Sequence, residues 1–303
     1  MSMKHIAVIK GGWSAEREVS LSSGAQAASA LEDAGYRVTE IDADPSLASV
    51  LADLKPDVVF NALHGRWGED GCIQGVLEIM ELPYTHSGVL ASSLAMDKQR
   101  AKFVLDHAGV PTPKGVIVPL RDALDTMPAP FVVKPNNEGS SVGVVVVREG
   151  DNRARDALLQ PIGEAEEVLV EKYIAGRELT AAVLGDRTFC VTEIVSRSDF
   201  YDYDSKYADG GSEHVLPADI PDAITGLVLE MALRAHNALG CRGLSRADFR
   251  YDERLGEEGL YCLEVNTQPG LTPTSLAPEQ AAHCGLSFPE LCAWLVEDAS
   301  CQR

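Results

Sequence analysis

The first third of the chain alternates between two periods of apolar residues. Short apolar runs of strand length are separated by longer segments in which apolar residues recur every three or four positions. We predict strands at residues 4–9, 36–42 and 57–62 and from Pro83, and helices at residues 20–34, 47–54 and 71–80. Gly35 marks the end of the first helix. Strands that alternate with helices predict a parallel sheet with right-handed crossovers.

Beyond residue 97 the strands follow one another with fewer helices between them. We predict helices at residues 98–108, 221–239 and 288–298, and strands at residues 131–134, 142–147, 167–171, 179–184, 188–195, 248–251 and 260–265. The glycine-containing turn before residue 142 predicts an antiparallel pair. Residues 196–211 are polar and aromatic and predict a long loop of the kind that acts as a lid. The whole pattern predicts an N-terminal α/β domain at 1–96, a central lobe at 97–178 and a C-terminal lobe at 179–303.

Composition narrows the range of partners. The 303 residues are enough for two or three lobes, and 26 basic against 46 acidic residues give a formal net charge of −20. Nucleic acid binding needs a basic surface, so we expect no nucleic acid partner. No apolar run reaches transmembrane length, and the N-terminus lacks the pattern of a signal peptide. Seven cysteines without a CxxC pair predict free thiols, mostly buried, and we expect a cytoplasmic protein with no membrane partner.

Three oxygen-bearing side chains lie near the C-terminus on two predicted strands. Glu264 and Asn266 are two residues apart and project to the same face of one strand, and Asp248 on a neighbouring strand can join them. Two carboxylates and an amide oxygen suit Mg²⁺ or Mn²⁺ bound to nucleotide phosphates. The alternative is a polar strand face exposed to water. Because Leu263 and Val265 make the other face apolar, we predict a metal site.

A lysine and a glycine–serine loop form a second candidate site. Lys134 ends an apolar strand, and the loop that follows runs to Gly143. Such a loop lets backbone N–H groups approach phosphates closely. It does not have the GxxxxGK[ST] pattern, and Gly11-Gly12 does not form a GxGxxG dinucleotide motif. Taken alone, the segment is equally consistent with a plain hairpin.

Several short motifs stand in order along the chain. They are residues 11–21 (GGWSAEREVSL), 63–71 (LHGRWGEDG), 96–98 (MDK), 134–143 (KPNNEGSSVG), 171–174 (EKYI) with Glu178, 201–207 (YDYDSKY), 246–248 (RAD) and 264–270 (EVNTQPG). Each motif is modest evidence by itself. Together and in this order they resemble the ATP-grasp ligases and, among them, the D-alanine–D-alanine ligase family. The resemblance covers nearly the whole chain.

This resemblance implies both a fold and a reaction. The fold is an α/β ATP-grasp fold, with an N-terminal parallel α/β domain and two α+β lobes that hold ATP between them. The reaction is the ATP-dependent ligation of two D-alanine molecules through an acyl phosphate, with release of ADP and phosphate, for peptidoglycan precursors. The resemblance also implies Mg²⁺ or Mn²⁺, as two ions, a small-molecule substrate and a homodimer.

The resemblance further implies roles for individual residues. It implies an adenine and ribose site at Glu171, Lys172, Tyr173, Ile174 and Glu178, phosphate-binding cations at Lys98, Lys134 and Lys206, and metal ligands at Asp248, Glu264 and Asn266. It implies first-substrate binding by Glu16 and His64, second-substrate binding by Lys206, Ser275 and Leu276, an oxyanion site at Arg246 and the N–H of Gly270, and closure by Ser140 and Tyr207.

Simpler interpretations of four of these residues stay open. Glu16 can cap the helix that follows Ser14, His64 can be structural, Leu276 can belong to the core, and Tyr207 can pack on the surface. His64 nevertheless ends an apolar strand, a position that is exposed at the carboxyl edge of a parallel sheet. We therefore expect His64 to help hold the first substrate.

The sequence departs from the family pattern at a few positions, and three other functions are alternatives to the one that the resemblance implies. The departures are Trp67, which can alter the wall of the first-substrate pocket, Asn136-Asn137 and Gln268. A related ligase could use D-lactate or D-serine as the second substrate, although Tyr207 disfavours D-lactate. A dinucleotide-dependent oxidoreductase would need the glycine pattern that is missing. A non-catalytic nucleotide-binding regulator would not need to retain Arg246.

Overall fold

The computed structural model describes residues 3–139, 143–150, 167–196, 212–272 and 274–301. Within these segments the strands form three sheets, one parallel and two antiparallel. None of the helices in these segments is long and apolar enough to cross a membrane.

The first sheet is parallel, as the alternation of strands and helices predicts. It consists of β1 (His5–Lys10), β2 (Arg37–Asp42) and β3 (Val58–Asn61), and the accompanying helices are α1 (Arg17–Asp33), α2 (Leu47–Leu54) and α3 (Cys72–Ile79). β1 lies in the middle, in the order β2-β1-β3. Its residues from Ile6 to Ile9 are completely buried, which is expected for a strand that is covered on both faces. α1 begins three residues earlier than predicted.

The connection to the next sheet differs from the prediction. Where a strand from Pro83 was expected, Tyr84 forms an isolated bridge to Val59. Two helices follow, α4 (Val89–Met96) and α5 (Lys98–His107). The prediction missed α4 because its eight residues, VLASSLAM, present no charged face.

The second sheet is antiparallel and has its own core. It consists of β4 (Gly115–Pro119), β5 (Phe131–Pro135), β6 (Val145–Val147) and β7 (Glu167–Lys172), in the order β4-β7-β5-β6. The predicted antiparallel pairing across the glycine-containing turn is confirmed, because β5 pairs antiparallel with β6. β4 was not predicted; it is a sheet-edge strand of five residues that ends in Pro119.

The third sheet carries most of the C-terminal segment. It consists of β8 (Arg177–Leu184), β9 (Arg187–Ser196), β10 (Ser212–Val215), β11 (Leu244–Tyr251) and β12 (Leu260–Asn266), in the order β10-β9-β8-β11-β12. Helix α6 (Asp222–Leu239) packs on this sheet, and α7 (Leu276–His283) and α8 (Phe288–Asp298) follow it. β10 and α7 were not predicted. The predicted loop at 196–211 lies, after Ser196, outside the described residues.

A shared core joins the first sheet to the C-terminal helices. Buried residues of α1, β1 and β3 lie in one cluster with Leu244 and with residues of α7 and α8. The second sheet, in contrast, has a separate cluster around Phe131 and Val170. The division of the chain at residues 96 and 178 stays a prediction.

The cysteines follow the prediction in one respect and contradict it in another. All seven are free thiols. Only Cys262 and Cys292 are buried, and Cys72 and Cys284 are exposed, so the expectation that most are buried is wrong. Short side chains at helix ends and strand edges give little local indication of burial.

Candidate functional site

One open cleft brings together most of the predicted site residues. It lies between the ends of β11 and β12, the start of α1 and the start of α5, and has a volume of about 1150 Å³ when the adjoining open solvent is included. Its lining includes Glu16, His64, Lys98, Glu178, Arg246, Asp248, Glu264, Asn266, Gly270, Ser275 and Leu276. These residues are separated by up to about 260 positions in sequence, so their convergence depends on the fold.

The three predicted metal ligands lie on two paired strands. β11 and β12 are antiparallel, and in their register Asp248 lies opposite Glu264 and Arg246 lies opposite Asn266. Directly opposed residues in such a pair have neighbouring side chains. Two carboxylates and an amide oxygen therefore share one surface of the cleft. This all-oxygen set fits a hard divalent cation such as Mg²⁺.

The carboxylates of this set contact cations of the protein itself. The Arg246 guanidinium donates to both oxygens of Asp248, with Nε–Oδ1 at 2.8 Å and Nη2–Oδ2 at 2.7 Å. Thr180 donates to Asp248 Oδ1 at 2.7 Å, and Lys98 Nζ lies 3.5 Å from Glu264 Oε2. A divalent cation at Asp248 would therefore compete with Arg246 for the same oxygens.

Lys98 is held at the start of α5 by neighbouring backbone. Its Nζ donates to the carbonyl of Glu138 at 2.6 Å, and its backbone N–H donates to the carbonyl of Asn136 at 3.1 Å. The Asp97 carboxylate caps the helix by accepting from the N–H of Arg100 at 3.0 Å. The ammonium is thus fixed between the loop after β5 and strand β12.

Lys134 takes part in a buried charge cluster. Its Nζ lies 2.5 Å from Glu171 Oε1, and Lys102 Nζ lies 2.6 Å from Glu171 Oε2. Burial alone would raise the pKa of Glu171, but Lys134 and Lys102 outweigh it and hold the pKa below its usual range. Burial lowers the pKa of Lys102. Lys102 was not predicted as a site residue, although its spacing of four from Lys98 puts both on one face of a helix.

The predicted adenine and ribose residues adjoin this cluster. β7 ends at Lys172, and Tyr173 and Ile174 form the link to β8. Arg250 donates to the carbonyl of Ile174 at 3.3 Å and lies opposite Glu178 in the β11–β8 register, with Nη1–Oε2 at 3.3 Å. Of this group only Glu178 lines the open cleft.

Glu16 stands at the first turn of α1 but does not cap it. It occupies the N-cap position and makes no capping hydrogen bond with its side chain, so the capping interpretation is wrong. Its carboxylate lies over two glycines instead. A Cβ atom on Gly65 would come within 2.5 Å of Glu16 Oε2, and one on Gly139 within 3.2 Å. Glycine at both positions therefore makes room for this carboxylate.

His64 is buried and neutral. Burial, with a smaller effect from Arg246, lowers its pKa to about 4. Its Nε2 lies 3.1 Å from Ser23 Oγ, and its carbonyl accepts from Ser14 Oγ at 2.7 Å. His64 follows β3 at the carboxyl edge of the parallel sheet, as predicted, but its side chain is buried, so the expectation of an exposed position is wrong.

Glu69 lines the cleft and was given no role by the sequence analysis. Its Oε1 accepts from the N–H of Gly65 at 2.8 Å. Burial and the neighbouring Glu16 carboxylate raise the pKa of Glu69. A second carboxyl therefore stands beside Glu16. Its place in the 63–71 motif was the signal that could have identified it.

The remaining predicted residues divide into described and undescribed ones. Ser275 is the N-cap of α7, and its Oγ accepts from the N–H of Thr272 at 3.0 Å. Leu276 lines the cleft and also packs against Ile194, so it belongs to a small core as well. Ser140, Lys206 and Tyr207 lie outside the described residues.

Trp67 lies at the surface and does not line the cleft. Its side chain is 38% exposed, its ring centre lies 6.5 Å from that of Trp13, and the Arg66 guanidinium lies 4.6 Å above the ring. The possibility that Trp67 alters the wall of the first-substrate pocket therefore has no support from the lining of this cleft. Its backbone has a φ of 72°, in the left-handed region that side chains rarely adopt.

Family models and relatives match the same segments. The model for the D-ala D-ala ligase C-terminus matches residues 119–297, more than half of the chain, and the model for the D-ala D-ala ligase N-terminus matches residues 50–87. The chain belongs to the D-alanine–D-alanine ligase family. A D-alanine–D-alanine ligase from Cereibacter sphaeroides is 61% identical over 98% of this chain and 96% of its own length. One from Parvibaculum lavamentivorans is 59% identical over 99% of both chains.

Solved structures of this ligase family share the fold. The D-alanine–D-alanine ligase from Bacillus anthracis in complex with ATP has a TM-score of 0.83 and 31% identity, over 98% of this chain and 97% of its own. The VanG D-Ala:D-Ser ligase from Enterococcus faecalis has a TM-score of 0.80 and 30% identity, over 98% and 99%. The ATP-grasp fold predicted for this ligase is thereby confirmed.

Proposed function

We propose that this member of the family joins two D-alanine molecules in the cleft described above, at the expense of ATP. The observation that carries the proposal is one arrangement of residues. The Asp248–Glu264 pair and Arg246 stand on adjoining strands, and they face Glu16 and His64 across the same cleft. The product, D-alanyl-D-alanine, serves peptidoglycan precursor synthesis, as family membership implies.

The reaction consists of two displacements. The carboxylate of the first D-alanine attacks the γ-phosphorus of ATP, which forms an acyl phosphate and releases ADP. The amine of the second D-alanine then attacks the acyl carbon, and phosphate leaves. Activation is needed because the direct condensation of a carboxylate with an amine is unfavourable in water.

The chain supplies the charges that each displacement requires. Lys98 and Lys134 stabilise the negative charge on the transferred phosphoryl group. Glu16, which lies over Gly65, binds the ammonium of the first D-alanine. Once Arg246 leaves Asp248, its guanidinium and the N–H of Gly270 stabilise the tetrahedral oxyanion.

We propose Mg²⁺ or Mn²⁺ as the metal, bound as two ions by Asp248, Glu264 and Asn266. The metal would neutralise the phosphates of the nucleotide and help to orient them. The support is the donor set of three oxygen-bearing side chains, in which Asp248 and Glu264 are directly opposed and Asn266 is two residues beyond Glu264 on the same strand. The nucleotide base and ribose lie, in this proposal, near Glu171 and Glu178.

We expect Glu264→Gln to lower the rate of D-alanine-dependent phosphate release at least about 100-fold, because it removes one negative ligand from the metal site. Glu258→Gln, at an exposed position two residues before β12, is the matched control and should retain full activity. Full activity in Glu264→Gln would contradict both the metal assignment and the mechanism.

A substrate panel tests the identity of the second substrate. D-alanine, D-serine and D-lactate are each offered with ATP, Mg²⁺ and a limiting amount of D-alanine, and the products are identified by mass. We expect the dipeptide D-alanyl-D-alanine to predominate. The Enterococcus faecalis relative is named a D-Ala:D-Ser ligase. A preference of this chain for D-serine would contradict the choice of D-alanine.

We also propose that the ligase is a cytoplasmic homodimer. The support for self-association is that the apolar side chains of Ile79, Val89 and Leu90 are exposed on the first domain. Free thiols and the use of ATP support the compartment. Sedimentation equilibrium of the wild type and of Leu90→Asp tests the dimer, which the charged residue should dissociate.

A further inference from the structure

A buried pair of side-chain amides joins two loops of the cleft. Asn61 is at the end of β3, and Gln268 follows β12 by two residues. Asn61 Nδ2 donates to Gln268 Oε1 at 2.7 Å. Asn61 is completely buried and Gln268 is 2% exposed. Hydrogen bonds between buried amides are costly to break, because a buried donor or acceptor that loses its partner cannot form a hydrogen bond with water instead.

Asn61 organises the loop that carries His64 and Glu69. Its other Nδ2 hydrogen donates to the carbonyl of Gly68 at 2.9 Å, and its Oδ1 accepts from the N–H of Leu63 at 3.1 Å. The side chain therefore fixes the loop at both ends. The loop in turn sets the positions of the His64 ring and the Glu69 carboxyl in the cleft.

Gln268 organises the loop that carries Asn266 and Gly270. Its backbone N–H donates to Asn266 Oδ1 at 2.9 Å. Its side-chain Nε2 donates to the carbonyl of Leu63, the residue before His64. Both the oxygen and the nitrogen of the Gln268 side-chain amide therefore form hydrogen bonds with the other loop or with the residue that precedes it. Gln268 is also one of the positions where the sequence departs from the commonest family pattern.

A second, weaker bridge runs parallel to the amide pair. Ser23 Oγ accepts from the N–H of Leu271 at 3.4 Å and lies 3.1 Å from His64 Nε2. It connects the same two loops from the α1 side. The amide pair is the shorter of the two connections and is the one made by the side chains of the loops themselves.

We propose that Gln268 is a positioning residue that sets the distance between the first-substrate loop and the metal and oxyanion loop. This inference rests on the proposed function, in which the first D-alanine lies beside Glu16 and His64, Asn266 belongs to the metal site and the N–H of Gly270 belongs to the oxyanion site. The reacting atoms must come within about 3–3.5 Å of one another, and a misplacement of about 1 Å can cost about 100-fold in rate. Gln268 fixes that separation through Asn61 and Leu63 before any substrate binds.

The principal test replaces the amide without creating a cavity. Gln268→Met keeps the length of the side chain and removes its hydrogen bonds. We expect kcat/KM for D-alanine to fall at least about ten-fold, while KM for ATP stays within about two-fold. ADP affinity, measured by calorimetry without D-alanine, should stay within the same two-fold range.

The matched control is Gln280→Met. Gln280 is buried as well. Its side-chain amide makes three hydrogen bonds, to the N–H of Ala182, the carbonyl of Thr180 and Thr192 Oγ1, where that of Gln268 makes two. Both variants should melt at a lower temperature than the wild type. Only Gln268→Met should change kcat/KM for D-alanine. If kcat/KM for D-alanine fell equally in both variants, the role of Gln268 would be structural only, and the proposal would be overturned.

Two further variants keep the test decisive. Asn61→Ala should reproduce the kinetic defect, and the double variant should be no worse than Asn61→Ala alone, because both changes break one connection. If Gln268→Met does not fold, Gln268→Asn retains the amide but is too short to reach both partners, and the same defect is expected. Wild-type kinetics in Gln268→Asn would overturn the proposal. Failure of the proposed function is distinguishable, since the wild type itself would then release no phosphate with D-alanine.

Discussion

A single buried carboxylate lies between two ammonium groups in the part of the chain where we propose that the nucleotide binds. Glu171 is 2% exposed, and it neutralises only one of the two lysines that contact it. The cluster therefore keeps one net positive charge in a place where water is largely excluded. Such a charge interacts with an anionic phosphate more strongly than a solvated lysine would.

We expect Lys102→Met to raise KM for ATP about ten-fold. Without Lys102 the cluster has no net charge, because Glu171 then neutralises Lys134. KM for D-alanine should change less than about two-fold. Lys114→Met removes an exposed lysine that directly precedes β4 and serves as the control. Steady-state kinetics with each substrate varied in turn provide the measurement, and an unchanged KM for ATP would show that Lys102 has no electrostatic role.

Site residues could be predicted from the sequence where a motif places them next to one another. Asp248, Glu264 and Asn266 follow from strand periodicity, and the structure brings them together as expected. Lys102 could not be predicted in this way, because its partner Glu171 is 69 positions away. Glu69 stands inside a recognised motif, but its proximity to Glu16 arises only when β3 and α1 pack together.

Elements with a clear period were predicted, and short elements without one were missed. α4 has no polar face, and α7 contains Pro278 within its first turn, a residue that usually marks a boundary. β4 and β10 have five and four residues, which is too short for a reliable alternation. Their existence depends on pairing with strands elsewhere in the chain.

Helix α6 carries a buried histidine that links helix stability to pH. His236 lies on the face that packs against the third sheet, and its Nδ1 is 2.7 Å from Ser245 Oγ on β11. Burial lowers the pKa of His236 to about 4. An unfolded chain binds a proton at this residue below a pH of about 6.5, but the native protein does not until about 4. Acidification through this window therefore favours the unfolded state.

We expect His236→Gln to reduce the loss of stability between pH 7 and pH 5 by about 2 kcal/mol, since glutamine does not titrate there. The measurement is the free energy of unfolding from guanidinium melts at several pH values. His107→Gln changes an exposed residue at the end of α5, and its free energy of unfolding should depend on pH in the same way as that of the wild type. Parallel curves for the wild type and His236→Gln would contradict the assignment.

At the scale of the whole molecule, the two ends of the chain fold together. The core of the first sheet includes residues of α7 and α8, and Tyr84 forms a bridge to Ser300. Arg242 reinforces this contact by donating to the carbonyl of His86 at 2.7 Å and to Ser300 Oγ at 2.6 Å. Periodicity predicts the faces that become buried but does not say which distant face covers them. For this reason the fold class was predictable and the packing of the C-terminal helices was not.

The buried lysine cluster has a consequence for how the nucleotide approaches the protein. The chain as a whole has a formal net charge of −20, while Lys102 and Lys134 are 4% and 7% exposed. At long range an incoming ATP anion is therefore repelled, and it is attracted only inside the cleft.

Because salt screens charges beyond about 10 Å at 0.1 M ionic strength, added salt weakens the repulsion more than the attraction. The association rate constant of ATP, measured by stopped flow, should increase between low and physiological ionic strength. A decrease would mean that the mouth of the cleft presents a positive field to solution.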